Sequence, residues 1–180
     1  MLTITVPAME EWDEQNERFI SSKAQTLQLE HSLVSISKWE MKWKIPFLSS
    51  DEKTIEQQLD YIRCMTLTQN VDPSVYRRLT ADNFKDISEY ISTDMTATTF
   101  SKTNRRGGKN KIVTSEVIYY WMVAMQIPFE CQKWHLSRLL TLIRVYEEEN
   151  QPKKKMSRRQ ILQQNAALNA ARRKKLNSRG

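Results

Sequence analysis

Glycine is nearly missing from this chain: 3 of 180 residues, namely the adjacent pair Gly107-Gly108 and the terminal Gly180. Loops that cradle phosphate need glycines beside a helix start, so a nucleotide-binding loop of that kind is excluded. Cysteine is as scarce. Cys64 and Cys131 alone give no disulfide framework and point to a reducing compartment. Cys131 and His135 stand four apart, but the remaining Cys and His are Cys64 and His31 without paired spacing. A buried Cys and a partly exposed His is therefore favoured over a zinc site. Nothing marks a nucleophile elbow or an oxyanion hole, and no catalytic carboxylate pair stands out; an enzyme is the least favoured class, and no cofactor or metal is expected. No apolar run reaches the about 20 residues of a membrane helix. Leu2 to Val6 is too short for a signal peptide, and Glu10, Glu11, Asp13 and Glu14 follow at once, so a cytoplasmic protein without a membrane partner is expected.

What is present describes a mainly α protein: five Trp, eight Met and strong helical periodicity, with a small N-terminal β-hairpin element and a basic C-terminal helical or disordered tail. The organising stretch is Ile112 to Tyr146. Val117 to Met125 is apolar or aromatic throughout, opened by Thr114-Ser115-Glu116 and closed by Ile127-Pro128, which predicts a helix over 114–126 covered on most sides. A second helix is predicted over 130–146, with Leu136, Leu139, Leu140, Ile143 and Tyr146 on its buried face.

Upstream, Leu2-Thr3-Ile4-Thr5-Val6 and Thr26-Leu27-Gln28-Leu29-Glu30 alternate with period two and predict paired strands, with a hairpin tip between Trp12 and Phe19-Ile20. The acidic cluster from Glu10 to Glu17 reads as a solvated face more readily than as a docking surface. Helices are predicted over 32–44 (Leu33, Ile36, Trp39, Trp43), from Ser50-Asp51-Glu52 onward (Ile55, Leu59, Ile62, Met65) and from Thr80-Ala81-Asp82 onward (Phe84, Ile87, Ile91). An internal echo links Ile36-x-x-Trp39-x-x-x-Trp43-x-Ile45-Pro46-Phe47 with Ile118-x-x-Trp121-x-x-x-Met125-x-Ile127-Pro128-Phe129. A packing corner used twice explains it.

Charge divides the chain into a helical body, 1–151, and a tail, 152–180. The tail holds ten of the 28 Lys and Arg and no Asp or Glu, so the body carries a net charge of −3 inside a total of +7. Candidate electrostatic partner-binding residues are Lys153, Lys154, Lys155, Arg158, Arg159, Arg172, Arg173, Lys174, Lys175 and Arg179, with Arg105 and Arg106 in a Ser/Thr-rich loop over 92–111 that is expected to be flexible. The tail composition allows a helix, but Ile161, Leu168 and Leu176 are too few to bury, which predicts a helix ordered by a partner.

Two functional classes follow. One is a non-catalytic assembly or interaction protein whose aromatic and Met surface meets apolar client segments. The other is a nucleic-acid binder using loop 102–111 and tail 153–179, although the tail has no aromatic residue to stack on bases. A helix-turn-helix is disfavoured because its recognition helix would offer mainly Leu, Ile and Val.

Tyr119-Tyr120-Trp121-Met122, then Ile127-Pro128-Phe129, then Trp134-His135-Leu136-Ser137-Arg138-Leu139-Leu140 resembles the C-terminal helical part of tail assembly chaperones of long-tailed (siphovirus-like) bacteriophages, and Leu33 to Phe47 is similar to their N-terminal helix. The resemblance implies a helper that binds the tape measure protein and keeps it soluble during tail morphogenesis, with tail tube subunits as further partners. Such chaperones are often made in a short and a frameshift-extended form, and the change in composition at Pro152 is compatible with an extension of that kind. Homo-oligomerisation and nucleic-acid binding by the tail stay open.

Overall fold

The computed structural model describes residues 1–13, 17–49, 51–100, 112–150 and 158–176. They form a mainly α protein with a small antiparallel sheet at the N-terminus, in two compact units, Met1–Tyr146 and Glu147–Gly180.

Strands β1 (Leu2–Val6) and β4 (Gln25–Leu29) pair antiparallel, with Ile4 opposite Leu27 and Leu2 opposite Leu29. Ile4, Val6, Leu27 and Leu29 face the core while Thr3, Thr5, Thr26 and Gln28 face water, as the alternation requires. Two further strands, β2 (Met9–Asp13) and β3 (Arg18–Ser22), form a second antiparallel pair beyond the first. Sequence gave only a tip here, because Glu and Ser are weak strand formers. Trp12 opposite Phe19 supplies the missing cross-strand contact, their rings 4.8 Å apart and edge to face. At the joint between the two pairs, Nη1 of Arg78 donates to the carbonyls of Pro7 (2.9 Å) and Lys23 (3.4 Å).

Helices α1 (Leu33–Trp43), α2 (Ile55–Met65) and α3 (Ala81–Ser92) each start in a capping box, from Ser32 with Ser35, Thr54 with Gln57, and Thr80 with Asn83. α2 begins later than Ser50-Asp51-Glu52 predicts, and Ile55 in its first turn is exposed rather than core. A 3-10 helix, Pro73–Arg78, buries Val75 and Tyr76 ahead of α3. α1 and α2 are bolted by polar contacts: Trp39 Nε1 donates to the Gln57 carbonyl (2.9 Å), and Asp60 accepts from Trp43 Nε1 (3.0 Å) and Lys42 Nζ (2.5 Å).

α4 (Ser115–Ala124) falls within its predicted bounds, but Thr114 makes no side-chain cap. Glu40 of α1 does that job. Its buried carboxylate accepts from the Ser115 N–H (2.8 Å) and hydroxyl (2.5 Å) with one oxygen and from the Phe47 N–H (2.7 Å) with the other. The predicted 130–146 helix is two elements, a 3-10 helix over Phe129–Lys133 and α5 (Leu136–Asn150). The break has a cause: His135 bridges to Ser32, and Leu136 N–H donates to the His31 carbonyl (2.8 Å), which pulls the chain out of helical register. In the second unit, α6 spans Arg158–Leu176.

The two echoed corners share one backbone device. Lys44 (φ 57°) and Gln126 (φ 55°), each two residues before the proline, are left-handed without being glycine. They bury opposite members, however. The first corner buries Phe47 and exposes Ile45; the second buries Ile127 and exposes Phe129.

Of the loop over 92–111, residues 101–111 lie outside the described ones. Within its first part, Met95 N–H donates to Ser137 Oγ (3.0 Å), and the Arg144 guanidinium covers the Phe100 ring at 3.7 Å.

Candidate partner-binding surfaces

α4 is not covered on most sides. Its apolar sequence divides into an inner face, with Ile118 and Met122 fully buried, and an outer face with Glu116, Tyr120 and Val123 exposed. Tyr120 is 69% and Val123 60% exposed, and Phe129 beyond the corner is 54% exposed. Tyr119 is half-buried and donates its hydroxyl to Gln132 Oε1 (2.9 Å), which ties the helix to the following 3-10 turn. Because the Ser115 end is held by Glu40 and the far end by Ile127, the outer face is presented on a fixed support. A large apolar face on a rigid helix is what an amphipathic client helix needs.

The hairpin arm formed by β2 and β3 is a second such surface. Trp12 and Phe19 are exposed as a pair, and Met9 stands exposed at the base. Among the described strands, β2 and β3 pair only with each other.

Of the predicted cationic residues, Arg158, Arg159, Arg172, Arg173, Lys174 and Lys175 lie on α6 and are exposed. Lys153, Lys154, Lys155, Arg179, Arg105 and Arg106 lie outside the described residues. The six on α6 sit at its two ends, separated by the Gln, Asn and Ala stretch.

The interior holds a polar node that sequence reasoning missed. Tyr61 Oη lies 2.5 Å from Nδ1 of buried His31, and burial pushes the Tyr61 phenol up, so it keeps its proton. His135 stacks edge to face on His31 at 5.1 Å. Its Nε2 donates to the Tyr90 carbonyl (3.1 Å) and its Nδ1 accepts from Ser137 (2.8 Å). Tyr90 in turn donates to Glu30 (2.7 Å), whose other oxygen meets the N-terminal ammonium at 2.9 Å. Both His135 nitrogens are occupied, and Cys131 does not join it: among the described residues no three His, Cys, Asp or Glu gather for a metal. Burial also raises the Cys64 thiol, opposite to the shift that activates a nucleophile. The node joins β4, α2, α3 and α5 to the start of α1.

No family model, no curated protein and no solved structure matches the chain. No described helix is long and apolar enough to cross a membrane.

Proposed function

We propose that the protein is a non-catalytic assembly chaperone of a long-tailed phage, holding apolar stripes of the tape measure protein during tail morphogenesis. The observation that carries this reading is the outer face of α4, where Tyr120 and Val123 are exposed on a helix whose opposite side is core. Covering each such side chain with a client contributes about 1.5–3 kcal/mol, and a helical client repeats apolar positions at the matching spacing. The choice of client rests on the resemblance of Tyr119 to Met122 and Trp134 to Leu140 to phage tail chaperones. In this reading α6 adds electrostatic capture, or recruits tail tube subunits.

Co-expression with the tape measure protein of the same phage tests the reading. The account expects the client to move from the pellet to a co-purifying soluble complex. A client that stays insoluble, or is soluble without this protein, overturns it.

A second reading has its own observation. Six exposed cations and no acidic residue on α6 suit phosphate, which favours a nucleic-acid-binding tail. Binding of that kind weakens steeply with salt and does not involve Tyr120.

A further inference from the structure

The strands of the arm continue those of the first sheet in one register. Val6 faces Gln25 and Met9 faces Ser22, so Pro7 stands opposite Ala24 and Ala8 opposite Lys23, although these four residues belong to neither ladder. An antiparallel ladder alternates pairs that exchange both hydrogen bonds with pairs whose groups point outward. Here the outward set is fixed by its partners. The Gln28 N–H donates to Thr68 Oγ1 (2.9 Å), the Gln28 carbonyl accepts from the Leu67 N–H (2.8 Å), and the Thr5 carbonyl accepts from Asn83 Nδ2 (3.4 Å). Bonds are therefore exchanged at Leu2–Leu29, Ile4–Leu27 and Val6–Gln25, and the next exchange falls to Ala8 and Lys23.

That rung is where the ribbon breaks. Proline holds φ at about −65°, whereas an antiparallel strand runs at about −140°, so Pro7 turns the chain one residue ahead of it. Half-buried Arg78, at the end of the 3-10 helix, spans the gap. Its Nη1 donates to the Pro7 carbonyl (2.9 Å) and to the Lys23 carbonyl (3.4 Å), one on each strand. The clamp has an opposing term: Arg78 Nε is buried and, among the described residues, is the one such side-chain nitrogen or oxygen without a hydrogen-bond partner. It gains a partner in water when the guanidinium leaves.

We propose that the joint formed by 7–8 and 23–24 is a hinge, and that Arg78 is the latch that holds the β2–β3 arm in one direction relative to β1 and β4. Unlatched, the arm turns as one piece. The Trp12–Phe19 pair, 48% and 71% exposed, is then re-aimed without either ladder breaking. The device does not involve the α4 face and stands or falls separately from the chaperone reading.

The test reads residual dipolar couplings of the backbone amides by NMR on the full-length protein. In the wild type all four strands are expected to share one alignment, with order parameters of about 0.85. Arg78→Met keeps the aliphatic stem and removes the donors. It is expected to lower the order parameters of β2 and β3 alone, to below about 0.6, while cross-strand nuclear Overhauser contacts from Met9 to Ser22 and from Trp12 to Phe19 persist. Arg77→Met removes the same charge one residue earlier and is expected to match the wild type. Adding Pro7→Val to Arg78→Met is expected to restore order, because a straight strand lets Ala8 and Lys23 exchange their bonds. A wild-type arm that already moves against β1 and β4 overturns the proposal without any variant. So does an arm that stays ordered in Arg78→Met, an equal release by Arg77→Met, or a failure of Pro7→Val to restore order. Loss of the cross-strand contacts together with the order also overturns it, since the arm would then be unfolding rather than turning.

Discussion

The carboxylate of Glu40, on the last turn of α1, caps the start of α4 through Ser115, 75 residues further along the chain. One side chain thereby fixes two things at once: the Phe47 corner and the first turn of the helix that carries the exposed apolar face. A carboxylate at a helix N-terminus is favoured by the dipole, and charged hydrogen bonds there are strong.

Replacing Glu40 with Ala leaves the Ser115 and Phe47 N–H groups buried without an acceptor. The expected loss is about 3 kcal/mol, read as a lower urea midpoint, whereas Ser115→Ala costs about 1 kcal/mol because the backbone bond survives. Equal losses from the two substitutions would contradict this arrangement.

Left-handed Lys44 and Gln126 give a prediction of the opposite sign. Glycine at either position relieves steric strain, so Lys44→Gly and Gln126→Gly are each expected to stabilise by about 0.5–1 kcal/mol. Lys38→Gly, at an exposed site inside α1, is expected to cost about 1 kcal/mol. Urea unfolding of the three variants distinguishes them. Destabilisation by all three would remove the left-handed corners from the account.

Acid acts on the polar node. Burial, with a smaller contribution from His135, lowers the His31 pKa from 6.5 to about 4; burial also lowers that of His135. The unfolded chain therefore takes up these protons first as pH falls. Stability is full above about 6.5 and drains between about 6.5 and 4, by on the order of 3 kcal/mol for His31. Carboxylates titrate in part of the same range, so the comparison is with His31→Gln, whose urea midpoint is expected to fall less between pH 7.5 and 4.5. Parallel curves would show that His31 is not the group responsible.

Much of the body was legible because local signals agreed with packing. Ser32, Thr80 and the Trp39-to-Phe47 spacing announce their elements, and the Leu2–Val6 and Thr26–Leu29 alternation gives the first sheet its inner face. What stayed hidden depends on partners distant in sequence. Glu40 looks like any surface Glu of an amphipathic helix until Ser115 arrives, and the break at Trp134-His135 is set by His31 and Ser32. The outer face of α4 did carry a signal. Glu116 marks the wet side, and Tyr120 and Val123 follow it at four and seven residues, the same side of a helix. An uninterrupted apolar run conceals that register, because hydrophobicity alone leaves no contrast between the two faces.

The most direct measurement is co-purification of the tape measure protein with a Tyr120→Asp, Val123→Asp variant. Both side chains are exposed, so the account predicts melting within about 0.5 kcal/mol of wild type in stability and loss of the client from the complex. A variant that folds and still retains the client at wild-type yield would contradict the assignment of the α4 face as the client-binding surface.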